Sequence, residues 1–248
     1  VFFQAEGVLR VLVRSCGLGE LYKCQVVVRD FDASVVANLI EREGVTIAFF
    51  VPAMLSAICA VPGIGDRDMA LRRVFYSGAP ISPTGLLKAM AALRCDFVQI
   101  YGLTEATGAF AQLQPHEHDP DGPLAHLLLS AGSAYPWVEV RVVSMGDEQD
   151  VPTGDIGEIW TRSEQNLVGY WNDPERTAHV LTADGWLPTC DLGRVDASRH
   201  SFPVDPATDL VISVGENVHS VEVANVPSPH PPLPAAAVIR RPPAQPRP

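Results

Sequence analysis

One short run, Val98-Gln99-Ile100-Tyr101-Gly102-Leu103-Thr104-Glu105, concentrates the chemistry of this chain. Asp96 to Ile100 reads as a buried strand, and a ring, a glycine, a hydroxyl and a carboxylate follow at its end. That order offers a flat stacking surface, a phosphate contact and a charge able to hold a metal cation. Ligands of open α/β sheets bind at the carboxyl ends of strands. Each residue also has a plainer use. Tyr101 could close a strand as a core aromatic, and Glu105 could be a solvated loop charge.

Other residues could also do chemistry. Ser77-Gly78-Ala79-Pro80 is small enough for a ligand to approach the backbone closely, or it is simply a tight turn before the next helix. His116-Glu117-His118-Asp119 suggests a metal site, but a lone H-x-H lacks further ligands at useful spacing, so a polar loop is expected. Cys190 has no histidine partner nearby and reads as a buried neutral thiol rather than a nucleophile. Phe2, Phe3, Phe49 and Phe50 could line an apolar tunnel, although core packing serves any one of them as well.

The elements that must position these residues alternate. Asp32 can cap a helix whose apolar stripe is Val35, Val36, Leu39 and Ile40, and Gly44 ends it. Val45 to Val51 reads as a strand, Met54 to Val61 as a helix and Arg73 to Ser77 as a strand. Ser82-Pro83 opens a helix to about Leu93. This alternation predicts an α/β fold, a mainly parallel sheet with flanking helices. After residue 113 the pattern changes. Val138 to Val143 and Gly157 to Thr161 predict a small antiparallel β unit, and Asn172-Asp173-Pro174-Glu175 opens a short helix. From Pro227 a proline-rich tail begins, expected to be extended or disordered. The expected division is residues 1–130, 131–205 and 206–248.

Composition narrows the function classes. At 248 residues and 47% hydrophobic, the chain can build a real core. The net charge of -11, with no Lys or Arg block, argues against nucleic acid as a partner. Five cysteines without a C-x-x-C pair fit reduced thiols and a cytoplasmic location. No apolar run has transmembrane length. Peripheral membrane contact stays open, although no basic amphipathic helix supports it.

Five segments, in order, resemble the adenylate-forming superfamily, most closely its acyl-CoA synthetases. Ser77-Gly78-Ala79-Pro80-Ile81-Ser82 resembles the adenine loop, and Tyr101-Gly102-Leu103-Thr104-Glu105 resembles YGxTE. Gly157-Glu158-Ile159-Trp160-Thr161 with Gly169-Tyr170-Trp171-Asn172 resembles GEIW…GYWN. Gly185-Trp186-Leu187-Pro188-Thr189-Cys190-Asp191-Leu192-Gly193 resembles GWxxTGDLG. Asp209 to Asn217 resembles DxIISGGEN. The resemblance implies a two-step ligase. A carboxylate, expected to be a fatty acid, attacks the α-phosphorus of ATP to give an acyl-adenylate and pyrophosphate. The thiol of coenzyme A then displaces AMP.

The resemblance also implies roles. Gly78, Ala79, Pro80, Tyr101 and Gly102 would face the adenine, with Tyr101 stacking on it. Thr104 would meet the phosphates, and Glu105 would hold Mg²⁺. Asp191 would accept both ribose hydroxyls. Gly215, Glu216 and Asn217 would border the thiol passage.

The departures are as informative. No segment supplies the family's Gly/Ser/Thr/Lys-rich phosphate loop or its C-terminal catalytic lysine, so the chain is expected to be the middle of a longer enzyme, cut at both ends. Cys190 replaces a glycine, Pro206 an arginine that contacts ribose, and Val214 a glycine of the thiol-side loop. Thr208 takes the hinge position, and Gln4 stands where a histidine lies near the acyl pocket. The hairpin between Asp196 and Asp205 lacks its usual glycine. The expected activity of the isolated chain is therefore weak or absent. A non-catalytic nucleotide- or acyl-binding remnant, and a segment that associates with a partner through an exposed sheet edge, remain the alternatives.

Overall fold

The computed structural model describes residues 9–14, 22–206, 211–213 and 216–218. The chain forms two compact units, Val1–Val98 and Gln99–Pro248.

In the first unit, β1 (Leu9–Arg14) and β2 (Tyr22–Val27) form an antiparallel pair. Helix α1 (Ala33–Arg42) starts where Asp32 accepts a hydrogen bond from the Val35 N–H at 2.8 Å, and it buries Ala37, Leu39 and Ile40. The predicted stripe is thus only partly inward, since Val35 is exposed. Strand β3 (Ile47–Phe50) runs parallel to β4 (Arg73–Tyr76), with α2 (Pro52–Cys59) between them in sequence. Helix α3 (Pro83–Leu93) is capped by the Ser82 hydroxyl, which accepts from the Gly85 N–H at 3.1 Å. It leads into the start of β5 (Asp96–Leu103), where the fully buried Tyr76 ring packs on Phe97. Phe50 is core, whereas Ile47 and Phe49 are 60% and 58% exposed.

The second unit is antiparallel throughout its described strands. β5 continues past the predicted end at Ile100 and pairs with β6 (Gly108–Leu113), and β6 pairs with β7 (Ser133–Ala134). A four-stranded sheet follows in the order β11-β10-β9-β8: β8 (Glu139–Val143), β9 (Gly157–Arg162), β10 (Leu187–Val195) and β11 (Ser201–Pro206). Helix α4 (Pro174–Val180) lies between β9 and β10 in sequence, and a short hairpin, β12 (Val211–Ser213) with β13 (Glu216–Val218), comes last. The chain is therefore α/β, with mixed strand pairing, flanking helices and a separate antiparallel sheet. The predicted proline-rich tail, Thr208, Val214 and Gln4 lie outside the described residues. Among the described residues no helix is long and apolar enough to cross a membrane.

The hairpin joining β10 to β11 forms without its glycine. Arg199 takes the left-handed conformation at φ 67°, and the Asp196 carboxylate accepts from the Ser198 and His200 N–H groups at 2.9 and 2.8 Å. Within the polar segment His116 to Asp119, His116 is exposed while Glu117 and His118 are buried. Glu117 is buried, accepting from the Gln114 N–H at 2.6 Å while its Oε1 lies 2.8 Å from His200 Nε2. The carboxylate thus ties this turn to His200, directly before β11, as a buried polar group requires.

Candidate functional site

The site is built at the end of β5 and at the middle of β10, both within the second unit over these residues. Tyr101 sits where β5 bulges against β6, between Tyr101 and Gly102. Its ring lies on the fully buried Phe110, centroids 4.5 Å apart. Gly102 is glycine for a packing reason, since a Cβ there would collide with the Gly108 carbonyl. The chain then turns through a single 3-10 turn, Thr104–Ala106, which leaves Thr104 exposed, Glu105 half-buried and Ala106 in the core.

Strand β10 delivers Asp191 through a second irregularity. Its register with β9 slips between Pro188 and Leu192. Bulges of this kind re-aim side chains. The Thr189 hydroxyl donates to the Ile159 carbonyl at 2.7 Å and accepts from the Asp191 N–H at 3.2 Å. Asp191 then meets Tyr101, 90 residues away in sequence, and the tyrosine hydroxyl donates to Asp191 Oδ2 at 2.8 Å. Burial raises the Asp191 carboxyl above the ordinary aspartate range, and the Tyr101 hydrogen bond partly offsets this. Burial, followed by the Asp191 charge, pushes the Tyr101 hydroxyl well up.

Cys190 lies directly before Asp191 in β10. Its thiol is raised, first by desolvation and then by Glu158, Asp191 and Glu105. A raised thiol is a poor nucleophile, so the neutral state holds, but the expected burial does not: Cys190 is exposed. Its backbone N–H donates to Glu158 Oε1 at 3.0 Å, and the other Glu158 oxygen accepts from the Trp160 indole at 2.8 Å. Cys190 adopts φ 61°, a left-handed conformation that suits glycine. Residues with a Cβ lose about 1–2 kcal/mol there. Cys190→Gly should therefore stabilise the chain by about 1 kcal/mol, read as a higher urea midpoint with an unchanged slope; a lower midpoint would contradict the strain.

Glu105 is the least expected assembly. Its Oε1 accepts a 2.6 Å hydrogen bond from the Tyr170 hydroxyl, and its backbone carbonyl accepts from the Leu167 N–H at 2.6 Å. Sequence reading singled out Tyr170 only as part of a motif; a separation of 65 residues carried no signal of the pairing.

The remaining predicted residues fall into three places. Gly78, Ala79 and Pro80 form an exposed turn after β4 in the first unit, with Gly78 at φ 88°. Glu216 and Asn217 open β13, and Gly215 lies outside the described residues. Pro206 stands directly opposite Asp191 in the β10–β11 ladder.

Among the described residues no group of three or more His, Cys, Asp and Glu side chains could hold a metal by itself. A Mg²⁺ that arrives on phosphates needs only one or two carboxylates from the protein. Glu105, half-buried beside the exposed Thr104, offers one carboxylate.

A family model described as AMP-binding enzyme matches residues 21–171. The chain is 38% identical over 218 residues to a fatty acid–[acyl-carrier-protein] ligase, ScoC, of Streptomyces coeruleorubidus, covering 88% of this chain and 41% of that protein. It is 32% identical to the medium/long-chain-fatty-acid–CoA ligase FadD8 of Mycobacterium tuberculosis, over 88% of this chain and 37% of that one. Among solved structures it resembles the amide bond synthetase McbA of Marinactinospora thermotolerans, with a TM-score of 0.75 and 36% identity, covering 84% of this chain and 42% of that one. ATP-bound MatB of Rhodopseudomonas palustris gives a TM-score of 0.70 at 26% identity, over 80% of this chain and 38% of that one. The chain spans about two-fifths of the length of these relatives.

Proposed function

Because this chain belongs to the AMP-binding enzyme family, we propose that it carries the nucleotide-recognising part of an acid–thiol ligase. The Tyr101 ring takes the purine, with Gly102 and the Gly78-Ala79-Pro80 turn assigned to the base by their motifs. The Asp191 carboxylate accepts the ribose hydroxyls, Thr104 meets the phosphates, and Glu105 is the protein ligand of Mg²⁺. That cation would neutralise charge on the phosphates. Positioning and charge stabilisation are what phosphoryl chemistry asks of a protein. Gly215, Glu216 and Asn217 are assigned to the thiol side, with a fatty acid as the carboxylate by analogy with ScoC and FadD8, and coenzyme A as the thiol by analogy with FadD8.

One observation supports this reading most. The Tyr101 hydroxyl donates to Asp191 at 2.8 Å, and Glu105 follows Tyr101 on the turn after β5. This supports the ring and the Asp191 carboxylate acting on one nucleotide, with the Glu105 carboxylate on the turn that follows. A second reading, binding without efficient turnover, is favoured by Pro206, which has no charged donor to offer opposite Asp191. Loss of one preorganised donor typically costs about 10²–10³ in rate.

Incubation of the purified chain with ATP, Mg²⁺, coenzyme A and fatty acids of increasing length tests both readings. ATP binding with slow release of AMP and thioester is expected. Rapid thioester formation would overturn the impairment, and absence of any ATP binding would overturn the nucleotide role.

A further inference from the structure

Tyr170 lies outside the segments that supply the nucleotide contacts, yet the structure ties it to one of them. Its hydroxyl donates to Glu105 Oε1 at 2.6 Å. The tyrosine is itself held from behind. Its N–H donates to the Thr177 hydroxyl at 2.9 Å, and that hydroxyl donates onward to the Asp173 carbonyl at 2.7 Å. Asp173 also caps α4 by accepting from the Arg176 N–H at 2.9 Å, and the Arg176 guanidinium lies 4.9 Å from the Tyr170 ring centroid. The first turn of α4 therefore fixes the ring, and the ring reaches Glu105.

The loop before Tyr170 grips the same turn from its backbone side. The Leu167 N–H donates to the Glu105 carbonyl at 2.6 Å, and Gln165 Nε2 donates to the Ala106 and Ala109 carbonyls at 2.8 Å each. Gln165 is held in turn by the Trp137 indole, which donates to its Oε1 at 2.8 Å. A carboxylate on a short 3-10 turn would otherwise choose among several rotamers. Here both its backbone and one of its two oxygens are specified by residues 165–177, while Oε2 takes no hydrogen bond among the described residues.

We infer that Tyr170 is a positioning residue for Glu105: its hydroxyl orients the carboxylate toward the Mg²⁺ carried by a bound nucleotide. This rests on the nucleotide reading above. Partners that orient a metal ligand are typically worth 10–100-fold in metal affinity. Because this hydroxyl holds only one ligand oxygen, the lower end applies.

The test is titration calorimetry of the full chain with ATP, with and without Mg²⁺. Tyr170→Phe keeps the ring and removes the hydroxyl. It should reduce the Mg²⁺-dependent gain in ATP affinity about tenfold, and leave metal-free ATP binding within twofold of wild type. In a Glu105→Gln background it should change neither quantity. Thr177→Val, which loosens Tyr170 while keeping its hydroxyl, should reduce the same gain about threefold, so the inference survives a poorly folding phenylalanine variant. Equal weakening of ATP binding with and without Mg²⁺ would make Tyr170 merely structural, and an undiminished gain would remove its role; either result overturns the inference. A wild-type chain that binds ATP without any help from Mg²⁺ would overturn Glu105 as ligand. A wild-type chain that binds no ATP would instead sink the nucleotide reading, and Tyr170's role with it.

Discussion

Asp191→Ala lowers the affinity of the chain for Mg²⁺-ATP by about a hundredfold or more. Hydrogen bonds to a charged group contribute about 1.5–3 kcal/mol each, and the proposed carboxylate accepts two from the ribose. The effect is separable from unfolding. Burial raises the Asp191 carboxyl above its ordinary value, so the folded chain holds that proton more tightly than the unfolded chain does. The ionised group is thus a liability for folding that increases as pH rises from the unfolded value through the raised folded one. Asp191→Asn keeps an acceptor for the Tyr101 hydroxyl and should unfold no earlier than wild type at neutral pH, while still binding nucleotide poorly. The same shift gives wild-type binding a pH profile. Affinity falls on acidification, because the ionised acceptor is lost, and the fall begins at a higher pH than for an ordinary aspartate. Isothermal titration at several pH values with a urea melt of each variant reads all three effects. Asp191→Ala with near wild-type affinity would contradict the ribose role.

Phe110→Ala has the largest expected effect on stability, about 3–5 kcal/mol. Phe110 is fully buried, in a cluster with Ala106, Ala111, Val138 and Leu187 on which Tyr101 and Leu167 pack. Removing the ring opens a cavity beneath Tyr101, whose centroid lies 4.5 Å away. Nucleotide affinity should therefore fall along with the urea midpoint. A loss below about 1 kcal/mol would mean that this core does not support the site.

Much of the fold was legible because local signals agreed. Asp32 caps α1 and Ser82 caps α3 as their types predict, and β3, β4, β8 and β9 fall where apolar runs or alternation put them. What stayed hidden broke those patterns for physical reasons. β6, Gly108–Leu113, is rich in small residues and has no clean alternation. β10 contains Pro188 and Gly193 and slips register between them. The β10–β11 hairpin places Arg199 where glycine is usual and recovers its turn through Asp196. The site divides the same way. Tyr101, Thr104 and Glu105 were visible as a cluster, being nearly consecutive. Asp191 could be joined to them only by resemblance, since the Tyr101–Asp191 hydrogen bond spans the bulges of two different sheets. The Glu117–His200 pairing and the Tyr170–Glu105 hydrogen bond are likewise long-range, and no periodicity announces such pairings.

The most direct measurement is a crystal structure of this chain with a nonhydrolysable acyl-adenylate mimic. The account predicts the ribose hydroxyls within hydrogen-bonding distance of the Asp191 carboxylate and the purine against the Tyr101 ring. A mimic bound elsewhere, with Tyr101 and Asp191 still hydrogen-bonded only to each other, would contradict it.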